Sequence, residues 1–151
     1  MIKYFGSWPT AEVVNIDHIT ILGMEGRIGF KGLGPIYSHF SLDVKDVGRY
    51  TRQNPGLKMN GTIGFVQQLG KGEFNGTVDG QWVHDIYMEN YSRSRIPDVF
   101  YLDSTLRYQI PLASRKTKLE PYVSLRNLLN SKYAYVENYP MPGFSVLAGL
   151  K

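Results

Sequence analysis

Along this chain, apolar and polar side chains alternate with a period of two over long stretches. Between Leu102 and Leu112, the residues Leu102, Ser104, Leu106, Tyr108, Ile110 and Leu112 fall on one side, and Asp103, Thr105, Arg107 and Gln109 on the other. Successive side chains of a β-strand point to opposite faces, so the segment predicts a strand with one apolar and one polar face. The alternation recurs. Leu57, Met59, Ile63, Phe65 and Leu69 oppose Lys58, Asn60, Thr62 and Gln68. Phe74, Val78, Trp82, Ile86 and Met88 oppose Glu73, Asn75, Thr77, Asp79, Gln81 and Asp85. Similar runs cover Leu22–Lys31, Ile36–Lys45, Leu119–Arg126 and Phe144–Leu150. No stretch shows apolar residues at helical spacing over three turns.

Seven strands are predicted, near 18–31, 36–45, 57–69, 73–88, 99–112, 118–128 and 143–151, with residues 1–5 as the stub of an eighth. Several exceed ten residues, where a soluble strand typically has about 5–6. Asn60-Gly61 and Asn75-Gly76 are strong hairpin dipeptides. Turning at either would interrupt good alternation on both sides, so both are placed within strands. Connections alternate strictly between short (32–35, 70–72, 113–117) and long (46–56, 89–98, 130–142). An up-and-down meander puts alternate connections at opposite ends, so one end is trimmed and the other elaborated.

These features describe the wall of a transmembrane barrel. Lipid cannot hydrogen-bond a backbone, so a sheet in it must pair its amides and present apolar side chains outward. The expected fold class is all-β: an antiparallel up-and-down transmembrane β-barrel segment of seven to eight strands. Phe40, Phe65, Trp82, Leu106, Tyr108 and Phe144 are then the candidates for lipid-facing or interfacial-girdle positions. A soluble β-barrel or sandwich, binding a small hydrophobic ligand or a glycan, also alternates apolar-in and polar-out, and is the alternative. A small complete outer-membrane barrel is the second.

Composition refines this. The 151 residues include 11 Tyr, 7 Phe and 2 Trp, an aromatic load that suits girdles. No apolar run exceeds four residues, which excludes a membrane-spanning helix, and the start Met1–Gly6 carries no apolar stretch of the kind a secretory signal needs. With no Cys there is neither a disulfide framework nor a thiolate metal site. A net charge of +4 is too mild to indicate nucleic acid. His18, His39 and His84 form no ligand motif, phosphate-loop and nucleophile-elbow signatures are absent, and no cofactor is expected. Glu25, Asp43, Asp79, Asp85, Asp103 and Glu120 on the polar face, interleaved with Lys58, Arg107 and Arg126, predict cross-strand ion pairs rather than catalytic carboxylates, so no enzyme activity is expected.

Three segments add a resemblance. Asn15-Ile16-Asp17-His18-Ile19-Thr20-Ile21-Leu22-Gly23-Met24-Glu25-Gly26 opens a strand. Val123-Ser124-Leu125-Arg126-Asn127-Leu128-Leu129-Asn130-Ser131-Lys132-Tyr133 has an Asn-Leu-hydrophobic-Asn-x-x-Tyr ending. Tyr139-Pro140-Met141-Pro142-Gly143-Phe144-Ser145-Val146-Leu147-Ala148-Gly149-Leu150 places a Pro-Gly-aromatic turn before a last strand. In order and spacing these resemble the C-terminal part of the barrel of TonB-dependent outer-membrane receptors. The resemblance implies that residues 1–151 are one such barrel portion, a fragment without the plug domain, located in the outer membrane of a Gram-negative-type bacterium. It implies a receptor importing a scarce nutrient, an iron–siderophore complex or cobalamin. Its partners would be outer-membrane lipid, the rest of the barrel and plug, the TonB complex through the missing N-terminal part, and a small-molecule metal chelate. Family members usually end a few residues later in an aromatic residue. On the long loops, Arg52, Tyr91, Arg93, Arg95 and Tyr135 are the candidate ligand contacts, since Arg suits anionic ligands and Tyr offers flat amphipathic contact.

Overall fold

The computed structural model describes residues 2–5, 12–15, 20–32, 34–46, 54–87, 95–112, 117–136 and 138–151. Its strands are β1 (Ile2–Phe5), β2 (Glu12–Asn15), β3 (Leu22–Lys31), β4 (Ile36–Asp46), β5 (Leu57–Leu69), β6 (Gly72–His84), β7 (Ile86–Tyr87), β8 (Arg95–Ile96), β9 (Val99–Pro111), β10 (Lys118–Leu119), β11 (Pro121–Arg126), β12 (Ala134–Val136), β13 (Tyr139–Pro140) and β14 (Ser145–Leu150). No helix occurs among the described residues.

One antiparallel sheet runs in the order β14-β11-β9-β6-β5-β4-β3, with β10 beside β9. Each wall strand neighbours the next one in the chain, which is the expected meander. Long connections gather at one end and tight ones at the other. At the tight end, Leu69 pairs with Gly72 around Gly70-Lys71, and Gly70 takes the positive φ of 61° that such a turn requires. Both Asn-Gly pairs lie within strands, Gly61 opposite Gly80 and Gly76 opposite Phe65.

The sheet is open. Six antiparallel steps separate β3 from β14, so the two edge strands run in the same direction. They cannot pair antiparallel with one another, and each edge needs a neighbour running the opposite way.

Several boundaries differ from expectation for identifiable reasons. The strand predicted to reach residue 88 ends at His84, because Asp85 adopts φ 63° and turns the chain. Ile86 therefore leaves the apolar face and is buried on the other side. The strand predicted over 118–128 breaks at Glu120, ahead of Pro121, whose nitrogen has no proton to donate, and it ends at Arg126 before Asn127 at φ 50°. The first wall strand begins at Leu22; Thr20 and Ile21 lie outside it. Residues 2–5 are a strand, but they pair with Glu12–Asn15 as a separate ribbon rather than joining the wall. The eighth strand of the main sheet is instead the short β10.

Close approach of neighbouring strands is shaped by glycine–aromatic pairs. The Tyr37 ring lies where a side chain at Gly64 would stand, and the two residues are direct cross-strand partners. Gly149 sits under its partner Tyr122 in the same way, a Cβ there falling 2.6 Å from the Tyr122 hydroxyl. The aromatic ring covers backbone that glycine leaves bare.

Candidate functional site

The register assigns every wall residue to one of two faces, and the two are chemically opposite. One face carries Leu22, Met24, Ile28 and Phe30 of β3, then Phe40, Leu42 and Val44 of β4, and Met59, Ile63 and Phe65 of β5. It continues through Phe74, Val78 and Trp82 of β6, Phe100, Leu102 and Leu106 of β9, and Val123, Val146 and Leu150 at the far edge. Among the described residues no second layer covers it: Leu22 is 72% exposed, Ile28 70%, Ile63 65% and Leu150 64%.

The six lipid-facing or girdle candidates fall on this surface or its margin. Phe40, Phe65 and Leu106 are exposed on it, and Phe144 is exposed just ahead of β14. Trp82 lies near the long-loop end, where its indole N–H donates to Asp98 Oδ2 at 3.2 Å and its ring is 5.7 Å from that of His84. His84 Nδ1 is in turn 2.6 Å from Asp98 Oδ1. Tyr108 lies near the opposite end, and its hydroxyl donates to the Leu69 carbonyl at 2.7 Å. Both are half-buried aromatic side chains with their polar atoms engaged at the rims. Trp82 and Phe74, which pairs with Tyr108, are eight residues apart on β6. That is roughly 27 Å along the strand.

The other face is a ladder of polar side chains. Asn60 Nδ2 donates to Ser41 Oγ at 3.1 Å, and Gln81 Nε2 donates to Asn60 Oδ1 at 2.6 Å. Thr62 Oγ1 donates to Asp79 Oδ1 at 2.7 Å, and Gln109 Nε2 to Glu120 Oε2 at 2.8 Å. Of the expected cross-strand ion pairs, Arg126–Asp103 forms at 2.9 Å. Glu25 and Asp43 instead pair along their own strands, with Arg27 at 2.6 Å and Lys45 at 2.7 Å. Lys58 and Arg107 have no hydrogen-bond or ion-pair partner among the described residues.

At the long-loop end, two connections fold onto this polar face. Ile86 and Ile96 of the β7–β8 ribbon cover the paired Val83 and Val99, making the buried apolar cluster. The strand β12 then lies across as a strap. Tyr133 stacks on Tyr101 at 5.2 Å and 8°, and meets Tyr135 edge-on at 5.7 Å. The Tyr135 hydroxyl donates to Gln81 Oε1 at 2.8 Å, an acceptor shared with Tyr101 at 3.1 Å. Burial, followed by the nearby Tyr101 hydroxyl, holds the Tyr135 phenol well above the ordinary tyrosine range, and burial raises Tyr133 also. Between strap and wall is a pocket of about 570 Å³, lined by Pro55, Lys58, Gln81, Val83, Ile86, Tyr101, Tyr135 and Val136.

Asn127 ties the strap to the wall. It is 3% exposed. Its backbone N–H donates to Asp103 Oδ1 at 2.8 Å, and Nδ2 donates to the carbonyls of Ser131 at 2.9 Å and Pro142 at 3.1 Å. Its Oδ1 accepts from the Ser131 N–H at 2.9 Å. Asn130, at φ 49°, accepts from the Phe144 N–H at 3.0 Å and so sets where the chain returns to β14.

Of the candidate ligand contacts, Arg52, Tyr91 and Arg93 lie outside the described residues. Arg95 is exposed on β8, with Nη1 2.9 Å from Asp85 Oδ1 and its guanidinium 5.2 Å from the Tyr87 ring centroid. The Tyr87 hydroxyl first, and Asp85 second, strengthen its hold on its proton. Tyr135 is packed into the strap beside the pocket. Sequence reasoning assigned Lys58 to ion pairing and gave Gln81 no role; their meeting at the pocket depends on how the strap folds. No group of three or more His, Asp or Glu among the described residues could hold a metal ion.

In comparisons with protein-family models, with curated proteins and with solved structures, nothing matches this chain.

Proposed function

We propose that this chain is part of the wall of an outer-membrane β-barrel, the C-terminal barrel portion of a TonB-dependent receptor. The observation that carries the membrane reading is the uncovered apolar face. In a soluble barrel or sandwich the apolar face is the covered one, and the polar face meets water. Here the buried cluster and the strap lie on the polar side, while among the described residues nothing covers the apolar side across seven adjacent strands. Each large apolar side chain left in water costs about 1.5–3 kcal/mol relative to burial. Hydrocarbon removes that cost. β5, β6 and β9 have 13 residues each, beyond the 9–11 that cross a bilayer at about 45°.

The directions of β3 and β14 favour a larger wall over a seven-strand closed barrel. An antiparallel barrel containing this sheet needs an odd number of further strands, all of which must come from outside the meander. The receptor role rests on the three resembling segments. The second of them has a structural reason in Asn127, Asn130 and Tyr133, which fasten the last long loop over the inner face.

On this reading the parent receptor binds an iron–siderophore complex or cobalamin on the side of the long loops. It imports the ligand with energy from the TonB complex, delivered through other parts of the receptor. The polar face is the lumen and the strap narrows its outer mouth. The test is deletion of the gene in its source organism, followed by uptake of labelled iron–siderophore complexes and cobalamin. Loss of uptake of one of them supports the proposal; unchanged uptake of all contradicts it.

A further inference from the structure

We infer that the pocket beneath the strap is a binding site for a small organic anion with a flat apolar body, an aromatic carboxylate in the simplest case. Its volume of about 570 Å³ falls in the range of small-molecule sites. The walls are two tyrosine rings, a proline and branched aliphatic side chains, which fit a flat apolar group. Among the described residues, the one charged side chain in the lining is Lys58. Its cross-strand neighbours are Asp43 and Val83. Asp43 is already engaged by Lys45 at 2.7 Å, so among the described residues the Lys58 ammonium is the uncompensated charge of the pocket. An ammonium among apolar walls, with no carboxylate paired to it among the described residues, selects an anion.

The hydrogen-bond arrangement supplies a second donor. The Tyr101 and Tyr135 hydroxyls both donate to a single carboxamide oxygen, Gln81 Oε1. A carboxylate accepts a stronger, charge-assisted hydrogen bond than a carboxamide does. One phenol can turn to the ligand while the other keeps Gln81 satisfied. The bound anion then lies between Lys58 and a tyrosine hydroxyl, its ring against Val83 and Ile86.

This inference rests on the wall reading only for the statement that the pocket opens to the wet side. The test uses the full chain in detergent micelles and follows 4-fluorobenzoate and its uncharged analogue 4-fluorobenzamide by ¹⁹F NMR. Saturable binding of the benzoate, at least tenfold tighter than that of the benzamide, is expected. Lys58→Met should abolish the preference and Lys58→Arg should keep it. In a Trp8→Phe background, Trp82 is the single tryptophan, and its fluorescence reports whether each variant retains the fold, since Trp82 lies on the opposite face. Equal binding of the two probes, or a preference that survives Lys58→Met in a folded protein, overturns the inference. The wall reading fails separately, if the chain stays monodisperse without detergent.

Discussion

The rings of Tyr101 and Tyr133 lie 5.2 Å apart and within 8° of parallel, one on the sheet and the other on the loop that returns to the last strand. This stack and the Tyr135–Gln81 hydrogen bond hold the strap on the polar face. Both strap tyrosines have their pKa raised above the ordinary 10.0, so the folded state disfavours the phenolates. The stability they contribute is present below pH 10 and is lost as pH rises toward the folded-state values. The strap is therefore expected to loosen in strong alkali, and absorbance at 295 nm should show late-titrating phenols. Tyr135→Phe should remove the latest of them. Ordinary titration of every tyrosine in the folded protein would refute this.

Asn127 fills four hydrogen bonds from a buried position. Asn127→Ala keeps the backbone donor but leaves two carbonyls and the Ser131 amide without partners. Its φ of 50° adds backbone strain. A loss of about 1–3 kcal/mol is expected from the unpaired groups. Thermal unfolding in detergent measures it. Asn127→Asp should not rescue, because a carboxylate cannot donate to Ser131 and Pro142.

Gly64 is expected to resist any side chain while Tyr37 is present. Gly64→Val should cost about 1–3 kcal/mol by overpacking. The double variant Gly64→Val with Tyr37→Ala should recover much of that loss in a double-mutant cycle. Independent, additive effects would show that the ring does not depend on the glycine.

Much of this fold is legible in the sequence because strand periodicity is local. Seven wall strands, the sidedness of their connections, both in-strand Asn-Gly pairs and the membership of each face follow from counting by two. The failures occur where one residue changes the backbone. Asp85 turns the chain and sends Ile86 to the opposite face, and Pro121 interrupts its rung. A strand at residues 1–5 was legible, but its partner β2 was not, because a four-residue strand carries too little alternation to read. The candidate site was less legible. The exposed aromatic positions follow from parity, whereas the pocket depends on a strap folding over Lys58 and Gln81, a contact between residues far apart in the chain. The Asn127 motif is visible as a pattern, but its bonding reaches Asp103 and Pro142 and is not written in the spacing.

If the chain is a barrel wall, its apolar face meets lipid and its polar face meets water. The chain has no cysteine, so substituted cysteines along β6 are its only thiols. The most direct measurement is the rate at which a bulky water-soluble maleimide labels Phe74→Cys, Val78→Cys and Trp82→Cys, against Asn75→Cys, Thr77→Cys and Asp79→Cys, in outer-membrane preparations. An alternation of period two is expected, with the first three protected until detergent dissolves the membrane and the others reactive throughout. Rapid labelling of Val78→Cys and Phe74→Cys in intact membranes would contradict it.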